Sequence, residues 1–448
     1  MDRVARALSG KEILVTGATG FLGQPLLEKI LWAAPEVERI HVLIRPKRPF
    51  GGEVQTPAER LRRELFQSSV FDRLRYRYGD DFERFLEAKL VAVGGDISQD
   101  RLGIDPAVRE DLFHRLDLII NSAAVVSFDA PLDDALELNT RGAGRVAAFA
   151  AACDDAALIH VSTAYVCGAS HESIPETIHH AAPESDEPFP VRRFSDPDRD
   201  LARIEEIVAG VREQGNGPEV RRELVEALVQ RRKRRGGSRE PRREAIENLR
   251  GRWIENRLVE AGMKLARERG WNDTYTYTKA LGEQMVLRHR GDVPLAIVRP
   301  AIIESSLSEP SPGWLDGLRM ADPLIAAIGK GRLKSLPLDP DVVLDLVPAD
   351  MVVNTILAAL PKLAEDSRGS LQVYQMATGS RNPITMGRLH ELIVSYFEAN
   401  PMLDKEGEPI RVRPLSFPTP DSFRRQYRLK AAPLSAAEAV LEKLADWG

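Results

Sequence analysis

"EILVTGATGFLGQPLLEKIL", residues Glu12–Leu31, decides the fold. A short apolar run ends in Gly17, Gly20 and Gly23, and a helical pattern follows with apolar residues at Leu22, Leu26, Leu27, Ile30 and Leu31. A glycine turn between a strand and its helix points backbone N–H groups and the helix N-terminus at an anion such as a pyrophosphate. In that reading Gly17 permits the turn, Gly20 the close approach, and Gly23 the packing of helix on strand. The spacing departs from the Gly-x-Gly-xx-Gly of many dehydrogenases, and a plain strand-to-helix connection is the alternative.

Four more strand-like runs follow at 39–44, 89–96, 116–124 and 157–163, apolar on both sides and separated by helical patterns. Such strands belong to a parallel sheet covered on both faces. The expectation is an α/β, doubly wound fold whose ligands bind beyond the carboxyl ends of the strands. From about 170 to 270 the chain is highly charged, glycine-broken and helical in pattern, and strand character resumes at 294–303. The expected division is a dinucleotide-binding domain over 1–170 plus 271–305, a charged helical insertion over 171–270, a substrate-binding region over 306–364 and a C-terminal module over 365–448.

The chain has 448 residues, 43% hydrophobic and 29% charged, with a net charge of -5. That balance gives no global bias toward nucleic acid. Cys153 and Cys167 are too few for a disulfide framework or a cysteine-built metal site, so no metal is expected and a reducing compartment suits them. "MDRVARALSGKE" lacks an apolar signal core and no run approaches a membrane span, so a cytoplasmic protein is expected. Oligomeric state is not legible.

Candidate chemistry lies in three places. The second strand runs into Arg45, Lys47 and Arg48, where enzymes preferring NAD usually place an acid on the ribose. Cations there suit a 2′-phosphate and hence NADPH; an exposed basic loop is the alternative. "DTYTYTKALGEQ" (273–284) carries Tyr275 and Lys279, which share a helical face. The ammonium is expected to lower the phenol's pKa and make it a proton donor near neutral pH. Tyr277 has no lysine at that spacing. Ser162 and Thr163 end the fifth strand, where one hydroxyl could donate to a substrate carbonyl, or simply cap the strand.

"TGATGFLG" (16–23), the Ser-Thr pair and Tyr275 with Lys279, in this order, resemble the extended short-chain dehydrogenase/reductase superfamily, whose fold is of the Rossmann type. "HVSTAYVCG" (160–168), "RPAIIESSLSEPSPGWLDG" (299–317), "LDLVPADMVVN" (344–354) and "YQMATGSRNPITMG" (374–387) resemble the fatty acyl-CoA reductases. The resemblance implies Tyr275 as proton donor, Lys279 on the nicotinamide ribose, Thr163 rather than Ser162 on the carbonyl, and Asn139 ordering a proton-relay water. It implies that Thr19, Phe21 and Leu22 join the three glycines at the cofactor. Asp96 and Ile97 would flank the adenine, Asn121, Ser122 and Ala123 line the cofactor, and Pro300, Ile302 and Ile303 back the nicotinamide.

The implied reaction is NADPH-dependent reduction of a fatty acyl-CoA thioester to aldehyde and on to alcohol, in lipid metabolism. It needs no acyl-enzyme, and Cys167 is read as packing. Ser162 remains a substrate-side hydroxyl. "RRKRR" (231–235), which includes Arg234, with Arg239, Arg242 and Arg243 beyond, offers a grip on CoA phosphates, an acidic acyl carrier protein or anionic lipid. A solvated helix face is the competing reading. "PGWLDGLRMADPLIAAIGKG" (312–331) is apolar enough to line an acyl tunnel, with Trp314 in it or in plain core. The rival functions are a carrier-protein thioester reductase that stops at the aldehyde, a nucleotide-sugar epimerase or dehydratase, and a non-catalytic NADP-binding sensor.

Overall fold

A computed structural model describes residues 2–47, 54–128, 130–168, 174–178, 197–233, 243–317, 321–419 and 421–425. The apolar runs form the strands β1 (Glu12–Thr16), β2 (Arg39–Ile44), β3 (Leu90–Gly94), β4 (Leu118–Asn121), β5 (Ala157–Val161), β6 (Leu295–Pro300) and β7 (Leu371–Met376). They make one parallel sheet in the order β7-β6-β5-β4-β1-β2-β3. The order reverses between β1 and β4, the place where a doubly wound sheet opens a crevice for ligand.

The helices that matter for the site are α1 (Gly23–Ala33), α2 (Ala143–Ala151), α3 (Pro197–Asn216), α4 (Pro218–Lys233), α5 (Arg243–Arg269), α6 (Thr274–His289), α7 (Ala349–Glu365) and α8 (Met386–Ala399). Among the described residues, no helix is long and apolar enough to cross a membrane. The expected charged insertion supplies α3, α4 and α5. Ile204 of α3 and Leu265 and Ala266 of α5 are buried in one cluster with Trp271, Tyr277, Ala280 and Leu281. Tyr277, fully buried, is therefore the packing residue of its helix.

Two compact units emerge. The first comprises Met1–Ala301, Ser306–Trp314 and Ala349–Met376; the second comprises Ile302–Ser305, Leu315–Pro348 and Ala377–Gly448. This differs from a division at 306 and 365. The chain returns to the first unit because β7 pairs with β6 over six residues, covering an edge that would otherwise stay open. In the second unit, α8 and the helix Asp322–Gly329 bury Ile328, Ile393, Val394 and Phe397 with Val412 and Leu415. A Cβ on Gly329 would lie 2.5 Å from the Phe397 ring, so only glycine lets these helices meet.

One ion pair anchors α6 to the sheet. Arg299 on β6 donates from Nε and Nη2 to the two oxygens of Glu283 at 2.9 and 2.7 Å, and from Nη1 to Thr177 O at 3.0 Å. Their side chains are 1% and 3% exposed. Removing one partner of such a pair strands a buried charge, at a cost of about 3–5 kcal/mol. Glu283→Ala is expected to lose that much stability in denaturant unfolding, and the double variant Glu283→Leu/Arg299→Met to recover most of it.

Candidate active site

The glycine turn is built as its spacing predicts. Gly17 has φ +71°, and a Cβ there would lie 2.7 Å from Ala123 N. A Cβ on Gly23 would fall 2.3 Å from Gly17 O, so the start of α1 rests directly on the turn. Gly20 is different. Its Cβ would meet only Gly17 O, at 3.1 Å, within 4 Å. Protein packing therefore explains Gly17 and Gly23, while Gly20 borders open space in front of a helix N-terminus. That cradle fits the pyrophosphate of a dinucleotide.

A buried polar ladder ties the strand ends behind the turn. Thr16 Oγ1 donates to Asn121 Oδ1 at 2.6 Å, and Asn121 Nδ2 lies 3.1 Å from His160 Nδ1. Ser122 Oγ donates to Thr16 O at 2.8 Å. Burial, aided by Lys279, holds the His160 imidazole well below its usual pKa, so the ring is neutral. Its Nε2 meets no partner among the described residues. The reading of the sequence passed over His160, although a histidine inside the apolar run "ALIHV" was a visible signal.

α6 begins at Asp273, whose carboxylate caps the helix by accepting from Thr276 N at 2.8 Å. One turn on, Tyr275 and Lys279 share a face. The Tyr275 phenol lies beside the Thr163 hydroxyl. Thr163 Oγ1 also donates to Pro300 O at 3.3 Å and accepts from Tyr165 N at 3.4 Å. Ser162 is the neighbour in extended chain and so faces the other way; its buried hydroxyl meets no partner among the described residues. Lys279 is buried and donates to Val161 O at 2.7 Å.

One electrostatic expectation is corrected. Burial pushes the Tyr275 phenol up to about 12; Asp273 adds to the rise and the neighbouring Thr163 hydroxyl opposes it. Lys279 is not among the groups that set it; its amine donates to the β5 carbonyl and is itself brought down to about 8 by burial, with Glu283 opposing. Burial also pushes the Cys167 thiol up, so it is no ready nucleophile.

Asn139 fastens the loop after β4. Its Oδ1 accepts from Val125 N at 2.8 Å, and its Nδ2 donates to Val125 O at 3.1 Å and to Thr278 Oγ1 at 3.2 Å. Its side chain is thus spent on protein groups rather than displayed to water. The loop it holds sets the Phe128 ring edge-on to Tyr275, with centroids 5.9 Å apart.

The other expected residues divide. Arg45 is 61% exposed and its guanidinium lies 3.8 Å from Asp96, whose carboxylate also accepts from Ser98 N. Ile97 turns into the core, where a Cβ on Gly142 would touch it. Ile302 and Ile303 belong to the second unit, in a short parallel pairing with Leu346 and Val347. Trp314 packs against the glycine turn. It is 7% exposed, stacked on Phe21 of the glycine turn at 5.8 Å and 5°, with Nε1 donating to Ser69 Oγ at 3.3 Å. Arg48 and Arg234 lie outside the described residues.

Comparison with known proteins agrees with this arrangement. The family of NAD-binding domains described as "Male sterility protein" matches residues 15–356. "Fatty acyl-CoA reductase 2, chloroplastic" of Arabidopsis thaliana is 37% identical over 91% of this chain, which spans 60% of that protein's length. "Alcohol-forming fatty acyl-CoA reductase" of Simmondsia chinensis is 31% identical over 100% of this chain and 83% of its own. The terminal R domain from the myxalamid PKS-NRPS pathway has the same fold, with a TM-score of 0.52 at 20% identity, covering 98% of this chain and 77% of that domain. Site geometry and kinship converge: the chain carries an NAD(P)-binding domain and belongs to the fatty acyl-CoA reductase family.

Proposed function

We propose that this protein reduces fatty acyl-CoA thioesters with NADPH, first to the aldehyde and then to the alcohol. The observation that carries the reading is the placement of the Tyr275 phenol beside the Thr163 hydroxyl, with Lys279 one helical turn on, at the carboxyl end of β5. The names of the relatives supply the substrate class, and that of the Simmondsia protein supplies the second reduction.

NADPH, when bound in the glycine cradle, supplies hydride to the carbonyl carbon. Thr163 and Tyr275 hold the carbonyl oxygen and meet the negative charge that develops there, which is where hydrogen bonds lower a barrier. Tyr275 passes its phenolic proton to that oxygen, giving a hemithioacetal. Collapse of the hemithioacetal breaks the C–S bond and leaves aldehyde and free thiol. After exchange of the oxidised cofactor for a second NADPH and return of a proton from solvent to Tyr275, the aldehyde presents the same carbonyl oxygen to the same pair. Lys279 holds the ribose of the cofactor, and Arg45, exposed at the end of β2, turns from Asp96 to the 2′-phosphate.

Three outcomes test this. Tyr275→Phe is expected to lower kcat for palmitoyl-CoA-dependent NADPH oxidation by about 100-fold or more, the usual share of a general acid. NADPH oxidation that needs no thioester, or survives this change, refutes the mechanism. Arg45→Ala is expected to raise the KM for NADPH about tenfold and leave that for NADH unchanged, as loss of a charge-assisted phosphate contact should; an equal effect on both removes Arg45 from recognition.

The third is a pH profile. With Lys279 giving up its proton near 8 and Tyr275 only near 12, the free protein offers an ammonium beside a neutral phenol below about 8. The kcat/KM for NADPH, which reports free-enzyme ionisations, is expected to fall as pH rises through that value. Lys279→Arg, charged at every accessible pH, should abolish this fall.

A further inference from the structure

Ser306–Trp314 is a piece of the first unit flanked on both sides by chain of the second. It closes on itself, with Ser306 N donating to Trp314 O at 3.0 Å and Gly313 N to Ser306 O at 2.8 Å. Three backbone N–H groups, of Leu307, Ser308 and Glu309, donate to the Asp350 carboxylate at 2.8, 2.9 and 3.1 Å, which fastens the segment to the start of α7.

Its charged end grips α1. The Glu309 carboxylate accepts from Lys29 with one oxygen and from Arg73 at 2.9 Å with the other. Arg73 forks onto Glu28 at 2.5 and 2.7 Å and lies over the Trp32 ring. Glu28 and Lys29 are 1% and 7% exposed. Its aromatic end grips the glycine turn through the parallel stack of Trp314 on Phe21. One segment thus holds the turn and the helix that the turn opens.

A packing role alone would be met at less cost by apolar side chains, since buried ion pairs often give no net stability over a well-packed hydrophobic cluster. What they give is a fixed geometry: α1 cannot slide against the segment without separating partly buried ion pairs, among them the buried Glu28 and Lys29. A turn with three glycines has large intrinsic freedom. Backbone donors aimed at a pyrophosphate bind well only when they are held in place beforehand.

We infer that Ser306–Trp314 is a strap that presets the dinucleotide turn, with Trp314 and Glu309 as positioning residues for cofactor binding. This rests on the reading of the glycine turn as a dinucleotide cradle. The strap touches the turn through the Phe21 side chain, so its loss raises the dissociation constant for the cofactor while the hydride-accepting side of the site is untouched.

NADPH titrated into the full-length protein, by quenching of tryptophan fluorescence and by calorimetry, tests the strap. Trp314→Leu keeps an apolar side chain but loses the stack, and is expected to raise the Kd for NADPH about tenfold, the upper range for an aromatic pair. Trp314→Phe keeps the stack and should stay within about twofold of the parent. Glu309→Gln, which leaves the aromatic contact in place, should weaken NADPH by several-fold. The KM for palmitoyl-CoA at saturating NADPH should not follow in any of them.

Unchanged Kd values in Trp314→Leu and Glu309→Gln overturn the strap. So does a rise in the palmitoyl-CoA KM in step with the NADPH Kd, which marks a general loss of packing. If Trp314→Leu does not fold, the comparison of Glu309→Gln with Trp314→Phe decides. Failure of the parent protein to bind NADPH at all would instead refute the dinucleotide reading itself.

Discussion

The site depends on how α6 is fixed to the sheet. A helix carrying a phenol is useful only if that phenol stays over the carboxyl end of β5, and two buried polar contacts on α6 enforce this. Glu283 meets Arg299 of β6, and Lys279 reaches the β5 carbonyl of Val161. Each is made in a dry interior, where an unpaired partner is expensive. Sliding α6 by one residue would separate both contacts at once. The apolar packing of Tyr277 and Leu281 fills the remaining face but, being non-directional, would not set the register alone.

The opposite side of the crevice is set by backbone geometry. Gly17 and Gly23 are glycines because neighbouring backbone leaves no room for a Cβ, while at Gly20 a Cβ would meet only one backbone oxygen, tightly, at 3.1 Å. The ladder Thr16–Asn121–His160 then aligns the ends of three adjacent strands by side-chain hydrogen bonds where the sheet ladder ends. Both halves of the site are thus positioned before any ligand arrives, as catalysis by preset groups requires.

The parallel sheet was legible because its strands are apolar on both faces and each ends in a turn signal. The turn glycines were legible because their constraint is local. Trp314 and β7 were harder. Trp314 sits in an apolar stretch that suits a tunnel wall, and its true partner, Phe21, is almost three hundred residues away. β7 lies inside the stretch 365–448 that reads as a separate C-terminal module, and only its pairing with β6 assigns it to the sheet. Lys279 shows a subtler limit. Spacing places it beside Tyr275, but the direction of both pKa changes is decided by burial, which spacing does not report.

That burial bears on the chemistry. A phenol at about 12 is a weak acid, which at first sight argues against proton donation. In the proposed reaction, however, the proton acceptor is the alkoxide that hydride addition would create, a stronger base than an ordinary phenolate, so transfer would be favourable once charge had moved onto the oxygen. Before that moment the same high pKa keeps the phenol neutral and able to donate a hydrogen bond. The neutral His160 ring, the lowered amine of Lys279 and the raised phenol all express one property, burial at the strand ends. At such a buried place a hydrogen bond to a developing anion is worth more than in water. The burial that weakens Tyr275 as an acid in the resting protein is what would strengthen its grip on the oxyanion.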